Sequence, residues 1–318
     1  MPWCSYSTAA DPTARTGLVE DGQVYGLDPD VVLLDVIASP ESIQRARRSA
    51  RENPAETLGL GEVELGAPIA APPSVRDFMA FEEHVVTSSR AMNHVVHPDW
   101  YEMPVFYFTN PAAIKGPRDD IAISPGCAAF DYELEIAAVI GRPGADIDPS
   151  AENHIAGYTI LCDWSGRDLQ EREMRLNLGP AKGKDSATSI GPVLVTPDIL
   201  EPYRAGNAYD LEMTASVNGR RYSEGNFSTI YWSFPELIAY ASRGTNLRTG
   251  DILGSGTVGT GCILELSRTH GNEAYPWLQP GDQVRLEVAQ LGAIEATIRP
   301  SGPSPEWRRR STPQTALR

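Results

Sequence analysis

Between residues 131 and 140 the chain reads "DYELEIAAVI", with Tyr132, Leu134 and Ile136 at alternate places and Asp131, Glu133 and Glu135 before and between them. Successive side chains of an extended strand point to opposite faces. The pattern therefore predicts a strand with one apolar face and one face of three carboxylates. Similar short runs recur in "HIAGYTILCDW", "GPVLVTP", "DLEMTASVNG", "ILELS" and "QVRLEVAQLGAIEATI". Bounded by Gly, Pro and Asn, each reads as a strand. "GLVEDGQVYGLD" predicts a hairpin turning at Asp21 and Gly22. Helical patterns are fewer: "SPESIQRARRSAREN", starting at Ser39 or Ser42, then "SVRDFMAFEEHVVTSSRAMN" and "SFPELIAYASRG". Strands and helices do not alternate, so a doubly wound parallel sheet is not expected. The reading is a mainly β, α+β fold. The stretch "LGAPIAAPPS" is rich in Pro and small residues and predicts a boundary. It divides the chain into a small leading segment (1–69), a main domain (70–302) and a flexible tail (303–318).

Composition narrows the function classes. Hydrophobic residues make up 41% of the 318 positions and charged residues 22%, as in an ordinary globular protein. No run approaches the roughly 18 apolar residues of a membrane helix, so no membrane partner is expected. "MPWCSYSTAADPTARTG" lacks the charged and apolar regions of a secretory signal. Cys4, Cys127, Cys162 and Cys262 are scattered, which argues against a zinc cluster or a disulfide framework. A reducing, cytoplasmic compartment is expected, and Cys162, in an apolar run, reads as a buried filler. The net charge of −15 argues against a nucleic-acid partner. The basic "EWRRRSTPQTALR" at the end reads as part of the tail. His94 and His97 in "HVVH" could share a helical face, but with no third nitrogen or sulfur ligand they read as structural or surface residues. "GSGTVG" matches G-x-G-x-x-G, yet the following "CILELS" reads as a strand where a dinucleotide site needs a helix. It reads instead as a glycine-rich loop whose backbone approaches a small ligand.

Aligned carboxylates are tolerable around a hard divalent cation, which takes oxygen ligands. Glu133 and Glu135 would supply two of them; the alternative is an edge strand with its acidic face in water. In "GYTILCDWSGRDLQ" an apolar run stops at Asp163, a third ligand, and the loop adds Arg167 and Gln170 as donors. "LGPAKGKDSAT" puts Lys182 and Lys184 in a Gly-rich turn, suited to an anionic substrate.

Taken in order, "DYELEIAAVIG", "GYTILCDWSGRDLQ", "LGPAKGKD", "GPVLVTP", "GDILGSGTVGTG" and "ILELS" resemble the fumarylacetoacetate hydrolase family over about Pro72 to Arg299. The resemblance implies a roll of twisted mixed sheets, usually a homodimer, with one Mg²⁺, or Ca²⁺ or Mn²⁺ in its place. It implies cleavage or rearrangement of small anionic acids bearing 1,3-dicarbonyl groups. By the same resemblance Asp77, Glu133, Glu135 and Asp163 are the metal carboxylates. His84 is the catalytic histidine, Glu265 the carboxylate that orients it, and Lys184 an oxyanion donor. Tyr107, Arg167, Gln170 and Thr257 are substrate contacts. Met79 stands where the eponymous enzymes have a tyrosine, and the leading segment is shorter than theirs. The expected activity is hydrolysis of a carbon–carbon bond in a fumarylacetoacetate- or acylpyruvate-type acid. Decarboxylation or isomerisation of an oxo-diacid in the same fold is the alternative. A non-catalytic, metal-dependent acid-binding β-protein is the alternative from another class.

Overall fold

The computed structural model describes residues 2–91, 95–150 and 152–303. His94 and the tail beyond residue 303 lie outside them. The predicted hairpin forms: Arg15–Glu20 pairs antiparallel with Gln23–Gly26. Asp21 and Gly22 take φ of 49° and 76° in its turn, a geometry that Asp tolerates and Gly adopts freely. The predicted helix runs Pro40–Glu52 behind an N-cap at Ser39, whose side chain accepts from Ser42 N while Ser42 Oγ accepts from Ser39 N. Such a reciprocal cap is worth about 1 kcal/mol.

Among the described residues, twelve strands form one sheet. Its main path runs from Glu56–Gly59 through Gln23–Gly26, Arg15–Glu20, Trp3–Ser7, Thr188–Val195, Ile155–Asp163, Leu134–Ile140, Ile252–Gly254 and Val75–Phe78 to Phe106–Thr109. A second sheet of five strands is built around Glu212–Val217, Gln283–Val288 and Gly292–Arg299. This is the mixed-sheet, α+β architecture expected. The leading residues join the main sheet where Trp3 pairs with Leu194.

The strand Leu134–Ile140 is buried throughout. Leu134, Ile136, Ala138 and Ile140 enter the larger core, and Ala137 and Val139 the smaller one on the opposite face. Each large aliphatic side chain buried this way contributes roughly 2 kcal/mol. That gain fixes the strand even though carboxylates crowd its beginning.

Three local expectations are corrected. "ILELS" is helical, within Ile263–His270. The stretch expected to be helical from Ser74 onward begins as the strand Val75–Phe78, and its helix is confined to Glu82–Ala91. The acidic face is also not continuous. Phe130–Asp131 pairs with Ser165–Gly166, and Glu133 makes only an isolated bridge to Cys262 before the long strand starts. Asp131 is thereby taken out of line with Glu133 and Glu135.

Candidate active site

Three strands of the main sheet, Ile155–Asp163, Leu134–Ile140 and Val75–Phe78, bring Asp163, Glu135 and Asp77 together, with Ile252–Gly254 lying between the last two. Gly254 pairs with Ala137 on one side and with Asp77 on the other, and Tyr107 lies opposite Asp77 on the next strand. Gly254 matters through what it lacks. A Cβ there would stand 2.6 Å from Asp77 Oδ1 and 3.0 Å from Glu135 Oε2.

The Tyr107 hydroxyl sits between two acids, 3.1 Å from Asp77 Oδ2 and closer to Asp163 Oδ2. It has one proton, so it donates to one of them at a time. Lys184 Nζ lies 2.6 Å from both Glu133 Oε2 and Asp163 Oδ2. Arg167 reaches Glu133 Oε1 at 2.7 Å through Nη1 and Asp131 Oδ2 at 2.8 Å through Nε. Both oxygens of Glu133 are therefore paired. Gly256 N donates to Glu135 Oε2 at 3.0 Å, and Thr257, the next residue, is buried. Gln170 is half-buried, with Oε1 accepting from Arg167 Nη1 at 3.2 Å. Lys182 turns away to pair with Asp185 at the surface.

Three carboxylate oxygens stand out. Asp77 Oδ1, Glu135 Oε1 and Asp163 Oδ1 are buried and have no hydrogen-bond partner. A buried acceptor left unmade carries a desolvation cost of about 1–3 kcal/mol, more if charged. Burial is the main reason that all three acids are pushed above the usual carboxylate range; neighbouring acids add to it at Glu135 and Asp163, which rises to about 7, while at Asp77 the contact with Glu135 pulls the other way. For Glu133, burial alone would act the same way, but the cations of Lys184 and Arg167 outweigh it and hold the group well below that range. Lys184 is the mirror case: burial opposes its charge, and Asp163 and Glu133 overcome it. Three unsatisfied oxygens from three strands, all of them hard ligands, fit a hard divalent cation such as Mg²⁺, Mn²⁺ or Ca²⁺.

The expected base stands close enough to Glu133 to help hold its carboxyl down. His84, on the helix Glu82–Ala91, has Nδ1 3.2 Å from Glu265 Oε2. Glu265 is fixed by its helix, whose N-terminus is held by Asp131: Oδ1 accepts from Ile263 N at 2.7 Å and Oδ2 from Leu264 N at 3.0 Å. A helix thus does follow the "GSGTVG" glycines, contrary to expectation, but its first N–H groups are already taken by a carboxylate. That occupancy is what excludes a phosphate there.

The structure brings ten of the eleven expected side chains into this region or its immediate supports, and Thr257 follows Gly256, whose N–H binds Glu135. Sequence reasoning missed Asp131 as the link between the Glu265 helix and Arg167, Gly254 as the source of room, and Cys262, whose Sγ lies 3.7 Å from Glu265 Oε2. The pairing of Asp131 with the arginine of "SGRD" was the available signal; Gly254 was marked only as the first glycine of a loop expected to approach a ligand, and nothing in the sequence marked Cys262. Cys162 is fully buried, and His97 is exposed and caps a turn through Asp99 N, as expected of both.

Comparison with known proteins gives a consistent picture. The family model "Fumarylacetoacetate (FAA) hydrolase C-terminal" matches residues 74–299. A fumarylacetoacetase of Arabidopsis thaliana is 30% identical over 266 residues, 65% of this chain and 63% of its own length. Oxaloacetate tautomerase YisK of Bacillus subtilis is 30% identical over 282 residues, covering 84% of this chain and 86% of its own. Among solved structures, a fumarylacetoacetate hydrolase of Exiguobacterium antarcticum superposes with a TM-score of 0.71 at 26% identity, over 94% of this chain and 99% of its own. The chain thus spans about three fifths of the plant fumarylacetoacetases it matches.

Proposed function

The chain belongs to the fumarylacetoacetate hydrolase family, a family of enzymes, and from that premise we propose that it hydrolyses a carbon–carbon bond in a small 1,3-dicarbonyl acid of the fumarylacetoacetate or acylpyruvate type. The observation that carries this reading is the His84–Glu265 pair, 3.2 Å apart, in a structure that also gathers three carboxylates whose buried oxygens lack partners. Asp77, Glu135 and Asp163 would hold the divalent ion through those oxygens, with Glu133 the fourth acid once it leaves Lys184. When bound, the ion supplies Lewis acidity to the dicarbonyl oxygens and a sink for the electrons of the broken bond.

The chain's own residues do the rest. His84 takes a proton from water as that water attacks the carbonyl carbon, and Glu265 balances the imidazolium charge. The same imidazolium returns the proton to the departing carbanion, so the base is restored. Lys184 donates to the developing oxyanion, with Gln170 beside it, and one such donor is commonly worth roughly 3 kcal/mol. Arg167 holds the substrate carboxylate, and Tyr107 and Thr257 border the same space. A bound divalent ion together with Lys184 and Arg167 would offset these acids and let an acidic protein take an anionic substrate.

An acylpyruvate enol absorbs in the ultraviolet, and cleavage removes that band. Purified protein with Mg²⁺ is expected to bleach it and release pyruvate and a second acid. A panel of diketo acids left intact would refute the hydrolase reading. The Bacillus subtilis match, nearly full length on both sides, favours a second reading, keto–enol tautomerisation of an oxaloacetate-like acid. It needs the ion and an enolate but no water, so incorporation of ¹⁸O from solvent into a newly formed carboxylate separates the two. We also propose a homodimer, supported by the edge strand Phe106–Thr109 and its 67% exposed Phe108. Sedimentation of a single-chain species would contradict it.

A further inference from the structure

Beside the all-oxygen cluster lies a second group of different chemical character. A ring nitrogen of His84, Sγ of Cys262 and a carboxylate oxygen of Glu265 all lie within 4.8 Å of one another. The two distances resolved within it are 3.2 Å from His84 Nδ1 to Glu265 Oε2 and 3.7 Å from Cys262 Sγ to the same oxygen. A tetrahedral Zn²⁺ with Zn–N, Zn–O and Zn–S bonds near 2.0–2.3 Å sets its ligand atoms about 3.3–3.6 Å apart. The spacing needs only small adjustments to match. The group also has capacity to spare. Glu265 Oε1 is buried with no hydrogen-bond partner, and Glu265 is 1% exposed. Helix packing fixes two of the three residues: Cys262 is the N-cap position of the Glu265 helix, and its backbone bridges Glu133. His84, at 9% exposure the most accessible member, is the side from which an ion can arrive.

We propose that His84, Cys262 and Glu265 form a binding site for a borderline-soft divalent cation such as Zn²⁺, separate from the hard-cation site of Asp77, Glu135 and Asp163. Binding replaces the thiol proton with an S–Zn bond and releases that proton to solvent. Softness sorts the two sites: Mg²⁺ and Ca²⁺ have little affinity for a thiolate, whereas Zn²⁺ accepts the nitrogen–sulfur–oxygen set. Three protein ligands leave a fourth position open for water. If the pair His84–Glu265 activates water as proposed above, Zn²⁺ in this site removes the base and halts turnover, so zinc acts as a brake that depends on Cys262. That consequence, unlike the site, rests on the proposed function.

Cobalt separates the two questions. Protein saturated with Mg²⁺ is titrated with Co²⁺, and the near-ultraviolet sulfur-to-cobalt charge-transfer band is recorded. One equivalent is expected to produce the band, and Zn²⁺ to displace it. Cys262→Ser and Cys262→Ala should both lose it while still binding Mg²⁺. Absence of the band in the unaltered protein, or its survival in both variants, would overturn the site. Turnover is followed in parallel with Zn²⁺ added to the Mg²⁺-loaded enzyme. A band with undiminished turnover leaves the site standing and removes His84 and Glu265 from the catalytic role.

Discussion

At the scale of single residues, the site depends on a few atoms whose surroundings differ sharply. Glu133 has both oxygens paired with cations, while Asp77, Glu135 and Asp163 each keep one oxygen unpaired. Gly254 keeps Asp77 and Glu135 apart from any intervening carbon. Gly254→Ala would force a methyl to within 2.6 Å of Asp77 Oδ1. It is expected to weaken Mn²⁺ binding, read by calorimetry, at least tenfold while the circular dichroism stays that of the folded protein. Unchanged affinity would mean that Asp77 and Glu135 are not ligands. His84→Ala should reduce turnover by about 10²–10⁴-fold, the usual reach of a general base, with Mn²⁺ affinity retained. Near-normal turnover would exclude His84 from proton transfer. Asp163 and Glu135 stood out in the sequence at the end and start of apolar runs, with an edge strand in water as the alternative for Glu135; burial of that strand removes the alternative. Gly254 did not stand out, because its part is an empty space between Asp77 and Glu135, each more than a hundred residues away in the chain.

At the scale of elements, the helix Ile263–His270 was read as a strand. A short run such as "ILELS" fits either period, and its own residues do not decide. The decision comes from Asp131, whose carboxylate accepts two of the helix's first N–H groups. That acid belongs to another part of the fold and was itself expected to line a strand face with Glu133. Asp131 also anchors Arg167, so one side chain positions both the Glu265 helix and a buried cation. Asp131→Ala leaves a buried guanidinium without this partner and is expected to cost about 3–5 kcal/mol of stability. Denaturant unfolding measures the loss, and turnover should fall with it. A stability change below 1 kcal/mol would show that the helix needs no such anchor. The hairpin at Asp21 and the helix capped at Ser39 were readable because their determinants are local in the chain.

At the scale of the whole molecule, a chain of net charge −15 gathers several of its acids into one buried spot. The strand order that does so is non-local: residues near positions 77, 135, 163 and 254 become neighbours. The sequence displayed the pieces, and the family resemblance supplied the order in which they meet. The assembly has a thermodynamic signature. Asp163 titrates near 3.8 in the unfolded chain and at about 7 in the folded, metal-free protein. Between those values the folded state binds more protons than the unfolded one, so metal-free stability falls as pH rises. A divalent cation reverses the preference by favouring the ionised acids. The thermal midpoint of the metal-free protein should therefore drop from about pH 5 to about pH 7 through this group, and the increment from Mg²⁺ should grow over the same window. An Mg²⁺ increment that is flat or shrinking with pH would contradict this.

The most direct test is a crystal of the protein grown with Mn²⁺ and measured for anomalous scattering. One strong peak is predicted within about 2.5 Å of oxygens from Asp77, Glu135 and Asp163, a normal bonding range for a hard divalent cation. A fully loaded crystal with no peak among these three carboxylates would contradict the account.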